Sequence, residues 1–308
     1  ELPPGPDNPR NSEGDFAKLK DGSVLFVYSH YTRGTGKDND PACLVSRLST
    51  DGGLTWSEKD VPVVANEGGM NVMSVSLVRL KDDSLALFYL RKNSVLDCRP
   101  VFRVSRDEGR TWSEPHPCIP DSEKGYYVLN NSRVERLKSG RLLMPLCLHM
   151  RTQGEQTDLC GRLVCWYSDD DGGSWCRRSE PFAAYDASGN RIVLQEPGTI
   201  ELKDGRVLMY ARTAHGRHWF FYSADDGETW SKGRPGGLIG PCSPATLKRL
   251  VSGDILAVWD DHASRAEFAA RDGGWGLRVP MTTAISKDEG LTWRHRKVLG
   301  EDRNGYYC

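Results

Sequence analysis

The sequence predicts an all-β fold, a six-bladed β-propeller in which each blade is an antiparallel sheet of four strands. Two observations predict it: an eight-residue pattern, Ser-x-Asp-x-Gly-x-Thr/Ser-Trp, occurs five times, and a short turn pattern recurs between its copies. The first serines of the copies are 56, 63, 55 and 63 residues apart, at Ser49, Ser105, Ser168, Ser223 and Ser286. One element recurring at such a period is typical of a repeat architecture.

The eight-residue pattern predicts a tight hairpin. In its first copy Asp51 can accept hydrogen bonds from backbone N–H groups a few residues later, and Gly53 supplies the positive φ that a tight hairpin needs. Trp56 then begins the returning strand and can bury a large flat side chain between neighbouring sheets. The pattern resembles the Asp-box of bacterial neuraminidase repeats. An Asp-rich calcium loop is the alternative, and it is disfavoured because each copy holds few acids and ends in Trp.

The second pattern, Leu-Lys-Asp-Gly or a variant of it, predicts a turn between two apolar, β-prone runs. Its five copies are Leu19–Gly22, Leu80–Asp83, Leu137–Gly140, Leu202–Gly205 and Leu250–Gly253. One unit therefore consists of a strand, a turn, a strand, a longer loop, a strand, the Asp-box hairpin and a strand. Four-stranded units of this kind form the blades of a β-propeller.

The expected number of blades follows from the residues after the fifth Asp-box. The fifth Asp-box ends at Trp293, and the segment Asn304–Cys308 falls where a further inner strand is expected to begin. Propellers usually close by pairing the last blade with N-terminal strands. We therefore expect a single domain over residues 1–308, with six blades of which the last is incomplete in this chain.

The composition excludes several classes of partner. The net charge is −1 and the pI is near 6.7, so no electrostatic attraction to nucleic acid or to an anionic membrane is expected. No apolar run reaches membrane-spanning length, and no spacing of the nine cysteines matches a zinc site. These features fit an ordinary soluble protein. They do not separate a secreted or periplasmic protein from a cytoplasmic one, and they leave the oligomeric state open.

The inner strands of a propeller converge on its axis, where a pocket is expected. The segment from Glu196 to Arg212 resembles the part of the sialidase family that carries a catalytic Glu and, sixteen residues later, an Arg that binds the substrate carboxylate. Arg278, shortly before the last Asp-box, is similar to the third carboxylate-binding Arg of the family. Arg10 lies in the place of the first, although the Ile-Pro that follows it in the family is absent here.

The loop before the first Asp-box, residues 33–40, resembles the sialidase loop that supplies a further Arg and the acid/base Asp. The resemblance implies that Arg33 binds substrate and that Asp38, eleven residues before Ser49, is the acid/base. Asp40 is the alternative acid/base and a candidate substrate contact.

The nucleophile of the family is a Tyr on the inner strand of the sixth blade, activated by the Glu that corresponds to Glu196. Tyr306 lies 28 residues after Arg278, which suits that position, and Tyr307 is next to it. Tyr306, Tyr307 and a residue beyond Cys308 are the three alternatives. A Tyr suits this substrate because the carboxylate of sialic acid would repel a carboxylate nucleophile.

The resemblance covers nearly the whole chain and implies an exo-α-sialidase, a retaining glycoside hydrolase that releases terminal sialic acid. Arg10, Arg212 and Arg278 would bind the carboxylate of a sialylated glycan or another acidic sugar through charge-assisted bonds. No metal and no organic cofactor is implied. Two alternatives keep the same arginines, namely a non-catalytic propeller that binds acidic sugars and an enzyme acting on another acidic glycan, because fold alone does not fix function.

Overall fold

The computed structural model describes residues 2–150, 158–263 and 275–302 of the chain. Strands make up 47 % and helices 1 %, so the predicted all-β class is confirmed. The helical part that the structure describes is one 3₁₀ turn, Asp121–Glu123. Within the described ranges, no helix has the length and apolarity needed to cross a bilayer.

The described strands form five successive blades. Those of the first two blades are β1 (Arg10–Lys18), β2 (Val24–Tyr31), β3 (Ala42–Ser49), β4 (Val61–Val64), β5 (Asn71–Arg79), β6 (Leu85–Ser94), β7 (Asp97–Ser105) and β8 (His116–Pro117). A linking strand and the third blade follow as β9 (Tyr126–Val128), β10 (Glu135–Arg136), β11 (Leu142–His149) and β12 (Arg162–Ser168). The last two blades are β13 (Gln195–Glu201), β14 (Val207–Arg212), β15 (Arg217–Ser223), β16 (Arg234–Ile239), β17 (Thr246–Arg249), β18 (Ile255–Asp260), β19 (Met281–Ser286) and β20 (Arg294–Gly300).

Consecutive strands within a blade pair antiparallel, and the first, fourth and fifth blades are each a separate sheet of four strands in sequential order, as predicted. The third blade differs at its outer edge, where isolated bridges at Cys176 and Phe182 stand in place of a regular fourth strand. The short strand β9 pairs antiparallel with β11 and in parallel with β7. It thereby joins the second and third blades into one sheet of eight strands.

A hydrophobic core lies between each pair of successive blades. Between the first and second, Val27 and Leu44 pack together with Val72 and Leu87. Burying one such side chain fully contributes about 1.5–3 kcal/mol, so these interfaces supply much of the stability. Four of the five Asp-box tryptophans pack at the interface with the preceding blade, as predicted, namely Trp112, Trp175, Trp230 and Trp293. For Trp56 the prediction is wrong, because its ring lies against Phe16 and Phe26 of its own blade.

The Asp-box forms the predicted hairpin. The Asp51 carboxylate accepts bonds from the Ser49 hydroxyl at 2.8 Å and from the N–H and hydroxyl of Thr55 at 2.9 and 2.6 Å. Gly53 has a φ of 94° and donates its N–H to Ser49 Oγ at 2.8 Å. The hydroxyl contacts to the Asp recur in the other four boxes. The hairpin is therefore closed by its own side chains.

The residue after the box Asp ties its blade to the preceding one. Glu108 accepts bonds from the Arg79 guanidinium at 2.6 and 3.0 Å and from the backbone N–H of Lys20 at 2.9 Å. Arg79 ends β5 and Lys20 lies in the turn after β1, so the contact joins two blades. The same contact recurs at Asp171 with Arg136 and Lys81, and at Glu289 with Arg249 and Lys203. We call this contact the inter-blade staple.

The five blades are arranged around an axis without closing on themselves. Within the described part of the chain, no strand of the fifth blade makes more than marginal contact with a strand of the first. A closed ring of five blades is therefore not formed, in agreement with the predicted count of six. The segment expected to begin the sixth inner strand, with Tyr306 and Tyr307, lies outside the described residues.

Candidate functional site

Three inner strands carry a β-bulge, because the pairing register shifts within β1, β5 and β13. A residue at each shift has a positive φ although it is not glycine: 54° at Glu13, 65° at Ser74 and 45° at Glu196. Such a conformation costs roughly 1–2 kcal/mol per residue and is concentrated at functional sites. All three residues line a cavity between the inner strands.

A cavity of about 540 Å³ lies where the inner strands converge. Its lining brings together five of the residues that the sequence predicts, namely Arg10, Asp38, Glu196, Arg212 and Arg278. The three arginines come from the first, fourth and fifth blades. Arg278 precedes β19 and donates to Cys242 O at 3.4 Å. The predicted cluster of guanidinium groups therefore exists around one space.

Glu196 and Arg212 form an ion pair on neighbouring strands. Gln195 on β13 lies opposite Arg212 on β14, so residues sixteen apart in sequence meet in space. Arg212 donates to Glu196 Oε2 at 2.9 Å and to Gln195 Oε1 at 3.1 Å. Asn130 donates to the same Glu196 oxygen at 3.2 Å. Two donors thus fix the Glu196 carboxylate in the cavity wall.

Arg10 holds Asp38. One guanidinium nitrogen donates to Asp38 Oδ1 at 2.6 Å and to Gly36 O at 3.2 Å. The guanidinium also lies 4.8 Å from the centre of the Tyr31 ring. Burial acts to raise the pKa of Asp38, but the bond and charge of Arg10, together with the charges of Lys92 and Arg212, outweigh it, so this pKa lies below its ordinary value. Asp38 is therefore ionised at neutral pH when the cavity holds no ligand.

The second blade holds the loop that carries Asp38. Asn71 and Lys92 both donate to the main-chain oxygen of Asp38, at 2.8 and 2.7 Å. Both donors are buried, with 0 % and 2 % of their surface exposed. The position of Asp38 is thus set from a blade other than its own.

The structure does not bring Asp40 or Arg33 to the cavity. The Asp40 carboxylate accepts bonds from the backbone N–H groups of Thr35 and Lys37, at 2.8 and 2.9 Å, and so closes the loop on itself. Arg33 is exposed on that loop. Neither residue lines the cavities between the inner strands. The geometry favours Asp38 over Asp40 as the acid/base candidate, and the substrate contacts of Arg33 and Asp40 stay predictions.

A second cavity, of about 230 Å³, adjoins the first. The two share the residues Glu13, Asp38, Asn130, Glu196 and Arg212. The second is partly apolar, because Met73, Leu90 and Val128 line it. The site therefore combines a strongly charged space with a smaller, less polar one.

The chain matches one family model, the BNR repeat-like domain, over residues 34–307. The chain belongs to this family. Among curated relatives of this BNR domain, the anhydrosialidase of Macrobdella decora is 27 % identical over 207 residues, which is 63 % of this chain and 25 % of that protein. The chain thus spans about a quarter of the length of this relative.

Solved structures share the fold of this BNR domain at low identity. A protein of unknown function from Dyadobacter fermentans DSM 18053 has a TM-score of 0.73 at 20 % identity, over 97 % of this chain and 85 % of that one. A Hadza microbial sialidase has a TM-score of 0.70 at 18 % identity, over 95 % of this chain and 59 % of that one. The intramolecular trans-sialidase of Ruminococcus gnavus has a TM-score of 0.67 at 15 % identity, over 94 % of this chain and 85 % of that one. The sialidase neighbours are six-bladed propellers, which confirms the predicted fold and identifies a BNR propeller of the sialidase type.

Sequence reasoning does not single out Glu13, Lys92 or Gln195, although all three line the site of this BNR propeller. A signal for Glu13 exists, since it lies six residues before the Leu of the following turn, as Ser74 and Glu196 do in their own blades. Lys92 and Gln195 have no comparable signal. Their contacts depend on the path of a loop and on the pairing of β13 with β14.

Proposed function

We propose that this BNR propeller is the catalytic domain of an exo-α-sialidase, a retaining glycoside hydrolase that releases terminal sialic acid. The observation that carries the proposal is that Arg10, Arg212 and Arg278 line one cavity together with Asp38 and Glu196. Guanidinium groups bind a carboxylate through strong, charge-assisted bonds, and sialic acid carries a carboxylate at its anomeric carbon. Relatives named as a sialidase and an anhydrosialidase support the same substrate class.

In the proposed reaction Asp38 protonates the leaving oxygen and later takes a proton from the attacking water. The carboxylate of the substrate would compete with Asp38 for Arg10. Because the bond from Arg10 holds the pKa of Asp38 down, its weakening raises that pKa and lets Asp38 carry the proton that it must donate. Substrate binding would thereby prepare the acid.

Glu196 would accept the proton of a Tyr nucleophile. Arg212 and Asn130 both bond to Oε2 of Glu196, so within the described residues Oε1 is the oxygen without a hydrogen bond. The candidates for the nucleophile remain Tyr306, Tyr307 or a residue beyond Cys308. No metal or organic cofactor enters the proposed steps.

The test is hydrolysis of 4-methylumbelliferyl N-acetylneuraminide by the complete protein between pH 4 and pH 8. The wild type is expected to turn over, and Asp38→Asn is expected to lower kcat/KM by roughly 100-fold or more, because the acid/base is lost. Asp204→Asn changes an exposed Asp in the turn between β13 and β14 and is the matched control with full activity. A folded wild type without turnover at any pH in this range would contradict the proposal.

A second candidate is a propeller that binds acidic sugars without cleaving them. One observation favours it: the 2.6 Å bond from Arg10 keeps Asp38 ionised, which makes it a poor proton donor. A glycan array carrying sialylated and uronic-acid glycans separates the candidates. Retention of sialylated glycans without turnover would favour the binding protein, and retention of uronic-acid glycans alone would indicate another acidic sugar.

A further inference from the structure

Arg10 is almost fully occupied by groups of the protein itself. A guanidinium has five N–H donors. Its Nε donates to Ser12 Oγ at 2.8 Å, and one terminal nitrogen donates to Gly36 O and to Asp38. The other terminal nitrogen donates to Glu13 Oε1 at 3.2 Å. One N–H is therefore left for an incoming carboxylate, whereas a bidentate clamp uses two.

Glu13 is fixed beside Arg10 by the backbone and by the next blade. Its Oε2 accepts a bond of 2.8 Å from the Ser74 hydroxyl. Glu13 and Ser74 both lie at bulges with positive φ, so two blades each hold a residue in a costly conformation where this bond forms. Only 20 % of the Glu13 side chain is exposed. A carboxylate held in this way is, while ionised, a counter-charge fixed beside Arg10.

We propose that Glu13 is a specificity-determining residue that competes with the carboxylate of the ligand for Arg10, and so limits how tightly the site holds an anionic sugar. The inference rests on the proposed function, because it takes an acidic sugar as the ligand. A released sialic acid carries the same carboxylate as the substrate. A site in which every arginine was open to that group would retain its product.

The surroundings of Glu13 favour the loss of its negative charge when a second anion binds nearby. Arg10 on its own strand, Asp38 on the loop after β2 and Glu196 on β13 are the charged groups that act on it. Burial raises the pKa of Glu13, and the charges of Asp38 and Glu196 add to this, against the lowering effects of Arg10 and of the Ser74 bond. Glu13 therefore loses its charge more readily than an exposed carboxylate does.

The first test compares the wild type with Glu13→Gln, which keeps the size of the side chain and an oxygen that can accept the Ser74 bond. Calorimetry at pH 7 measures the affinity for N-acetylneuraminic acid and for its uncharged methyl ester. We expect the variant to bind the acid about tenfold more tightly and the ester with unchanged affinity, because one anionic competitor for Arg10 is gone. An affinity for the acid that is unchanged or weaker would overturn the inference.

Glu58→Gln is the matched control for this comparison. It makes the same change of side chain at an exposed residue that lines neither cavity. Its affinity for the acid is therefore expected to equal that of the wild type. A gain equal to that of Glu13→Gln would show that the loss of any negative charge, and not the position of Glu13 beside Arg10, controls the affinity, and this too would overturn the inference.

A second measurement reports on Arg10 without any sugar. Phenylglyoxal modifies guanidinium groups more slowly when they are ion-paired, and peptide mass spectrometry gives the rate at each Arg. We expect Glu13→Gln to raise the rate at Arg10 several-fold and to leave the exposed Arg106 unchanged. If the wild type binds neither sugar compound, the acidic-sugar proposal fails, while a faster reaction at Arg10 still supports the competition by Glu13. An unchanged rate at Arg10 overturns it whatever the sugars do.

Discussion

Single residues of the second blade control the acid/base candidate of the first. The main-chain oxygen of Asp38 accepts bonds from Asn71 and from Lys92. Burying an ammonium group costs on the order of several kcal/mol unless it is well bonded, so Lys92 occupies this place at a cost in stability. Its charge also contributes to the lowered pKa of Asp38. Lys92 thus affects both the position and the acidity of Asp38.

Removal of the Lys92 charge is expected to shift the pH profile of the proposed hydrolase. Activity falls as the pH rises through the pKa of Asp38, because a deprotonated Asp38 cannot protonate the leaving group. Lys92→Met raises that pKa, so the alkaline limb of kcat, which reports the substrate complex, should lie about one pH unit higher. Lys92→Arg keeps the charge, so its alkaline limb should lie at the same pH as that of the wild type. A loss of rate that is equal at every pH would indicate a purely structural role.

The sequence predicts contacts where a regular ladder of strands connects the residues. The contact between Glu196 and Arg212 is predictable, because the pairing of β13 with β14 brings residues at this spacing together. The contacts of Glu13 and Lys92 are not, because they cross from one blade to another. The relative placement of two blades follows from the packing between them, which no local pattern encodes.

Among the elements, the Asp-box serves two blades at once. Its Asp closes its own hairpin, while the acid that follows forms the inter-blade staple with the turn of the preceding blade. The hairpin is predictable from eight consecutive residues, but the staple is not, since it needs an acid, an Arg and a turn N–H from two repeats. The fourth blade has a variant in which Glu201 stands in the place of the Arg and accepts the N–H of Lys138 at 2.7 Å.

Removing the acid of one inter-blade staple measures how much that staple contributes to the stability of the protein. Glu108→Ala is expected to lower the free energy of unfolding by about 1 kcal/mol at pH 7, since water screens its bonds to Arg79 in part. These bonds lower the pKa of Glu108, so its contribution is present at neutral pH and is lost as the pH falls through that pKa. Urea unfolding at pH 7 and pH 3 measures both values, with the exposed Glu114→Ala as control. A loss of equal size at pH 3 would exclude a role for the charge.

In the whole molecule, polar side chains connect blades that are not neighbours. Arg133 of the third blade donates to Ala245 O of the fifth at 2.6 Å. Asn131 of the third blade donates to Gly14 O of the first at 3.0 Å. These contacts between inner strands help to fix the spacing of the blades that supply Arg10 and Arg278. They too lie beyond prediction from the repeats, because each joins segments more than a hundred residues apart.

One carboxyl among these inner strands makes stability depend on pH. Burial raises the pKa of Glu135 on β10 to about 7, although Lys248 acts to lower it. The folded protein therefore holds a proton that the unfolded chain has already lost. The free energy of unfolding should fall as the pH rises from the ordinary value of 4.5 to about 7.

Glu135→Gln removes this dependence. The variant is expected to be more stable than the wild type by about 3 kcal/mol at pH 8, and the difference should vanish near pH 4. Urea unfolding across this range gives the difference directly, and effects of other titrating groups cancel between the two proteins. The exposed Glu58→Gln is the control. A constant difference from pH 4 to pH 8 would contradict the role of Glu135.

The short strand β9 has a consequence for how the molecule opens. Since it hydrogen-bonds to both β7 and β11, the second blade cannot unfold alone without breaking bonds of the third. The two blades therefore form one cooperative unit, whose backbone amides exchange with solvent together rather than blade by blade. Tyr126 and Val128, at the ends of β9, both line the smaller cavity. That wall of the site belongs to the pair of blades that opens together, while the fourth and fifth blades are separate sheets that share no strand with this pair.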